Sequence, residues 1–139
     1  MGGAPLRITA DTNVLVRAAV GDDTDQSRVA AEVLREAEII AVTLPTLCEF
    51  VWVLARGYGI EAGAIATAIR RLVDSASVQV DRLAADAGLA VFEAGGDFAD
   101  GVIAFEGCRL GGQVFASFDR RAIELIAATG AETRLLSAE

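Results

Sequence analysis

The chain has no histidine and no lysine; all twelve basic residues are arginine. Without histidine there is no imidazole base, no imidazole metal ligand, and no Ser-His or Cys-His dyad. Without lysine a phosphate-loop NTPase is excluded, because its Lys reaches the phosphates. Small acidic receiver domains, which also use a Lys, are disfavoured for the same reason. The two cysteines, Cys48 and Cys108, lie in apolar stretches without Cys-x-x-Cys spacing, and read as small buried hydrophobes. Long apolar runs are missing too. The longest uncharged run, residues 39–48, is ten residues, whereas a helical membrane span needs about 20. The opening MGGAPLR lacks the apolar stretch of a signal peptide, and Leu6 breaks the myristoylation pattern. The expectation is a soluble, cytoplasmic protein with no membrane partner.

What is present is one domain's worth of core. The 139 residues, 14.4 kDa, are 53% hydrophobic with mean hydropathy +0.45, which excludes a disordered acidic tail and predicts a single domain over 1–139. Twenty acids against twelve arginines leave a net charge of −8. That charge argues against a large basic nucleic-acid footprint unless cations offset the acids or the arginines share one face. It also suits a basic protein partner.

Strand and helix patterns alternate along the chain. Apolar, β-branched runs at 6–10, 39–44, 78–80, 114–117 and 133–136 predict strands. Helical patterns fill 13–20, 26–37, 46–56, 61–74, 82–93, 97–110 and 119–129, with Thr24 or Asp25 as a cap and glycines at several ends. The 21–27 stretch GDDTDQS is a polar loop. Such alternation means α/β with a parallel sheet and helices on both faces.

Ligands of an open parallel sheet bind beyond the carboxyl ends of its strands. Asp11 follows the first predicted strand, Asp119 follows the fourth, and Glu49 opens the helix after the second. Asp100 lies in the first turn of its helix, but a helix precedes it. Each acid has an ordinary explanation as well. Asp11 and Asp119 fit helix N-caps, and Asp97 with Asp100 resembles a capping box. Glu49, within TLCEFVWVLA, has apolar neighbours on nearly every side, so it needs a cation, a proton or an opening to solvent; Arg17 or Arg56 are candidate partners. Phe50 and Trp52 read as core rather than as a base-stacking platform.

Four acids on one edge would repel. Two carboxylates about 4 Å apart repel by roughly 4 kcal/mol at an effective dielectric near 20. Oxygen-only donors without His or Cys select hard cations, Mg²⁺ or Mn²⁺. Such an ion polarises a phosphoryl oxygen and activates water, so phosphodiester hydrolysis is the reaction that fits.

Four stretches, in order along essentially the whole chain, resemble PIN-domain nucleases, and within them the VapC-type toxins of toxin–antitoxin pairs. ITADTNVLVR carries Asp11, TLCEFVWVL carries Glu49, DFADGVIA carries Asp97 and Asp100, and FASFDRR carries Ser117 and Asp119. The resemblance implies a three-layer α/β/α fold with a central parallel sheet of four to five strands. It implies a Mg²⁺- or Mn²⁺-dependent endoribonuclease acting on single-stranded or looped RNA, a homodimer, and a cognate antitoxin lying near the acidic site. Asp11 and Asp100 would be the main metal ligands, with Glu49 and Asp119 completing the site and orienting water. Asn13, Asp97 and Ser117 would stand behind them. With no Lys, the RNA phosphate contacts fall to Arg17, Arg120 and Arg121. Two other readings within this resemblance are a catalytically inactive PIN-like binding module and an RNA-processing PIN nuclease without an antitoxin. An aspartate-nucleophile phosphatase wants a second acid where Asn13 stands.

Overall fold

Apolar strand residues and capped, amphipathic helices build two compact units, divided between Asp81 and Arg82. The computed structural model describes residues 4–22 and 24–138. The first three residues of the opening stretch, and Asp23 of the expected polar loop, lie outside the described residues.

In the first unit, β1 (Arg7–Thr9), β2 (Ile39–Ala41) and β3 (Val78–Gln79) form a parallel sheet in the order β1-β2-β3. Ile8 pairs with Ile40, and Ile40 with Val78. The helices of this unit are α1 (Thr12–Val20), α2 (Asp25–Glu36), α3 (Leu44–Trp52) and α4 (Ala62–Asp74). Leu15, Ile40, Leu47, Phe50, Leu54, Ile65 and Ile69 are buried and form its core. Helix α1 stops at Gly21, whose φ of 58° is the left-handed turn that glycine tolerates.

The second unit holds α5 (Arg82–Glu93), α6 (Phe98–Arg109), β4 (Phe115–Ser117), α7 (Arg120–Ala128) and β5 (Thr133–Leu135). Strands β4 and β5 are parallel, with Ser117 opposite Leu135. Helices α5 and α6 approach closely because two glycines meet. A Cβ on Gly101 would stand 2.4 Å from the Ala87 carbonyl oxygen, and one on Gly88 would stand 2.8 Å from the Phe98 ring. Phe98 and Val102 are thereby buried against this helix pair.

The fold is the expected α/β class with parallel strand pairing, and among the described residues the ladders form a three-stranded sheet in the first unit and a two-stranded sheet in the second. The second strand stops at Ala41 rather than 44. The Thr43 hydroxyl accepts from the Thr46 N–H at 3.4 Å and Pro45 sits in the first turn, so the helix begins at Leu44. The expected helix to residue 56 also divides. After Trp52 the backbone passes into a π-helical turn, Val53–Gly57, in which the Tyr58 N–H donates to the Val53 carbonyl. Thr24, not Asp25, caps α2. Two burial expectations fail. Trp52 is 61% exposed on a face of α3 that the core does not cover, while Phe50, two residues earlier, is 2% exposed. Cys108 is exposed near the end of α6, and Cys48 is half-buried. Among the described residues no helix is long and apolar enough to cross a membrane.

Candidate functional site

Each unit carries its own acidic group. In the first, β1 delivers the chain through buried Ala10 to Asp11, the N-cap of α1. The Asp11 Oδ1 accepts from the Thr12 N–H at 2.8 Å. Thr12 is itself buried, and a buried hydroxyl needs a partner. Its Oγ1 donates to Glu49 Oε1, thirty-seven residues away on α3. One residue therefore holds two acids, one by backbone and one by side chain. Asp11, Thr12, Asn13, Val16, Glu49 and Val53 line an open pocket of about 260 Å³.

Of the three options for Glu49, the structure takes the opening to solvent. The residue is exposed, and its hydrogen bond comes from Thr12 rather than from the alternative partners Arg17 or Arg56. Arg17 Nη1 instead pairs with Asp22 Oδ2 at 3.2 Å. Asp22 also accepts from the Ser27 and Thr24 hydroxyls. These bonds, the Ser27 one foremost, hold the Asp22 carboxyl below its ordinary value.

In the second unit the acids surround a helix start. Asp97 caps α6, its Oδ1 accepting from the Ala99 N–H at 3.1 Å. Asp119 caps α7, its Oδ1 accepting from the N–H groups of Arg121 at 2.9 Å and Ala122 at 3.2 Å. Ser117, at the end of β4, accepts the Asp119 N–H at 2.9 Å and so fixes the turn. Asp100 lies between these features, half-buried in the first turn of α6. Burial pushes its carboxyl pKa up, and the charges of Asp97 and then Asp119 push it further. The expected capping box is half made: Asp97 caps, but among the described residues the Asp100 carboxylate does not accept the Asp97 N–H in return. Arg120 and Arg121 occupy the first turn of α7, where Arg121 Nη2 reaches the Gly95 carbonyl at 3.4 Å.

The ordinary and the chemical readings of three acids are compatible. Asp11, Asp97 and Asp119 each use one oxygen as a cap, and among the described residues the other oxygen accepts no hydrogen bond. Thr12 is the residue that sequence reasoning missed. A hydroxyl directly after a strand-end Asp was the available signal.

The donor set consists of oxygens alone, which fits a hard divalent cation. Among the described residues no three acids or thiols are gathered as a bound ion would gather them. Parallel strands followed by acid-capped helices define an α/β class whose ligands sit at strand ends. Comparison with family profiles narrows this: the PIN domain family matches residues 8–128. The chain belongs to the PIN domain family, whose members are typically nucleases and generally use divalent metal ions. The match runs from within β1 to the end of α7, so it covers both acidic groups. Comparisons with curated proteins and with solved structures give no match.

Proposed function

We propose that this chain is a Mg²⁺- or Mn²⁺-dependent endoribonuclease of the VapC toxin type, working in the cytoplasm on single-stranded or looped RNA. Asp11 and Asp100 are the main metal ligands, and Glu49 and Asp119 complete the donor set. Divalent-ion chemistry at such donors is polarisation of a phosphoryl oxygen and activation of water. The chain's own groups prepare for it. Glu49 is held through Oε1 by Thr12, which leaves Oε2 to orient a water. The caps on Asp11 and Asp119 fix each carboxylate through one oxygen, and among the described residues the other accepts no hydrogen bond. Ser117 fixes the turn before Asp119, Asn13 lines the pocket beside Asp11 and Glu49 as the candidate to steady them, and Asp97 raises the negative potential at Asp100.

The observation that carries this reading is Asp100. It is a half-buried acid with two acids acting on it and, among the described residues, no hydrogen-bond donor to its carboxylate. A structural role would supply a donor or a cation; a metal ligand is left waiting for one. Arg120 and Arg121 are the phosphate contacts of this reading, with Arg17 the weaker candidate because Asp22 holds it. Two features support the homodimer and the basic antitoxin segment. Leu83, Ile103, Leu110 and Phe118 are exposed apolar residues of the second unit, and the chain carries a net charge of −8.

The test is cleavage of a single-stranded RNA by wild type and Asp100→Asn, with Mn²⁺ and with chelator. Cleavage that needs Mn²⁺ and falls by orders of magnitude in the variant is the expected result. Cleavage unaffected by the chelator, or equal in both proteins, contradicts the proposal.

A further inference from the structure

Helix α3 has a sharply divided surface. Leu47, Phe50, Val51 and Leu54 face the core. Pro45, Glu49, Trp52 and Arg56 are exposed, at spacings of four, three and four residues that place them on one stripe. Trp52 is 61% exposed, which is unusual for the largest apolar side chain, normally buried for most of its area. It stands one turn beyond Glu49, which lines the acidic pocket, and directly before Val53, which lines it too. Helical side chains lean toward the helix N-terminus, so the indole covers the turn that carries Glu49. Arg56 follows one turn later, inside the π-helical turn Val53–Gly57, a distortion frequent at functional sites.

Resting on the nuclease reading above, we propose that Trp52 is a stacking platform for one nucleobase of a single-stranded substrate, with Arg56 contacting the adjoining phosphate. The stripe then reads as acid, π-face and cation, with neighbours about 5–6 Å apart between Cβ atoms. A chain with no lysine and net charge −8 draws little affinity from counterion release. Stacking supplies affinity that charge does not, and it tolerates any base because every base has a π-face. A duplex keeps its bases stacked on each other, so the platform selects single strands.

Trp52 is the chain's one tryptophan, so its emission reports this site alone. The probes are a short single-stranded RNA of mixed sequence, the same strand annealed to its complement, and inorganic polyphosphate. All are added to the full chain with chelator present, and affinity is also read by anisotropy of labelled RNA. The single strand should quench Trp52, while duplex and polyphosphate should not. Trp52→Leu should bind the single strand about 5- to 100-fold more weakly, and Trp52→Phe should fall in between. Arg56→Gln should weaken RNA and polyphosphate alike and lower the salt dependence by about one contact. Equal melting temperatures for the three variants and wild type accompany the expected result, since both side chains are exposed.

Single-stranded RNA that binds wild type without quenching, or binds Trp52→Leu equally well, overturns the platform and leaves the nuclease reading intact. Emission that shifts with protein concentration but not with RNA assigns Trp52 to an interface between copies, and also overturns it. A wild type that neither binds nor cleaves single-stranded RNA overturns both readings.

Discussion

In the first unit Asp11 and Glu49 are both served by Thr12, whose N–H and hydroxyl point to different carboxylates. In the second unit Asp100 has two acids acting on it and, among the described residues, no donor. Asp100 thus differs from Asp11 and Glu49, and also from its own neighbours Asp97 and Asp119, each of which accepts a hydrogen bond. Hydrogen bonds to a carboxylate stabilise its charge, whereas burial beside other carboxylates disfavours it. The first group is organised before any ion arrives, whereas in the second Asp100 is held by burial, and then by two like charges, in a state that a cation would relieve.

The largest effect expected from breaking this comparison is on the second unit's frame. Gly101→Ala puts a Cβ 2.4 Å from the Ala87 carbonyl oxygen. The backbone there cannot yield as a flexible side chain would, so α6 must shift away from α5. A loss of about 3 kcal/mol is expected, read by denaturant unfolding, together with lost nuclease activity because Asp100 moves with α6. An unchanged unfolding midpoint would show that the two helices are less constrained than their glycines indicate.

Thr12→Val keeps the backbone N–H on Asp11 and removes only the hydroxyl on Glu49. Partners of this kind typically matter by about 10- to 100-fold in metal affinity or activity. Mn²⁺ affinity and cleavage should fall within that range, and Thr12→Ser should restore both. If valine leaves Mn²⁺ affinity unchanged, the clasp on Glu49 does not serve the metal.

The pH dependence of the metal-free protein should separate two acids with opposite shifts. Asp100 has a folded pKa raised above its ordinary 3.8. Its favourable contribution to stability is complete below 3.8 and is lost as pH rises through the raised folded value. Asp22 has a lowered pKa, so its contribution is present above 3.8 and is lost as pH falls through the lowered value. Melting temperatures across acidic pH should show Asp100→Asn removing the loss on the rising side and Asp22→Asn removing the loss on the falling side. The same slope in both variants as in wild type would contradict the assignment.

Much of this is legible in the amino-acid order alone. The apolar period of α5 and the Gly95-Gly96 pair after it bound that helix at Arg82 and Glu93. Asp11, Asp97 and Asp119 are recognisable as caps, because Asp ahead of a helical pattern has that local meaning. Three features are hidden, each for a physical reason. The Thr12–Glu49 bond spans thirty-seven residues, and no local pattern encodes it. The exposure of Trp52 cannot be read from FVWVLA, where apolar residues occupy nearly every face of the helix, so periodicity does not say which face meets solvent. The Gly88–Gly101 contact depends on how closely two helices approach, and a glycine inside a helical pattern does not announce its neighbour.

Asp100 as a half-buried ligand beside two like charges is the central claim, and thermal melting tests it most directly. Wild type and Asp100→Asn are melted at neutral pH, each without metal and with Mn²⁺. Mn²⁺ should raise the wild-type melting temperature. Asp100→Asn should match or exceed wild type without metal, because a like charge is gone, and should lose most of the rise with Mn²⁺. An equal Mn²⁺ response in both proteins, or a metal-free variant melting well below wild type, would contradict it.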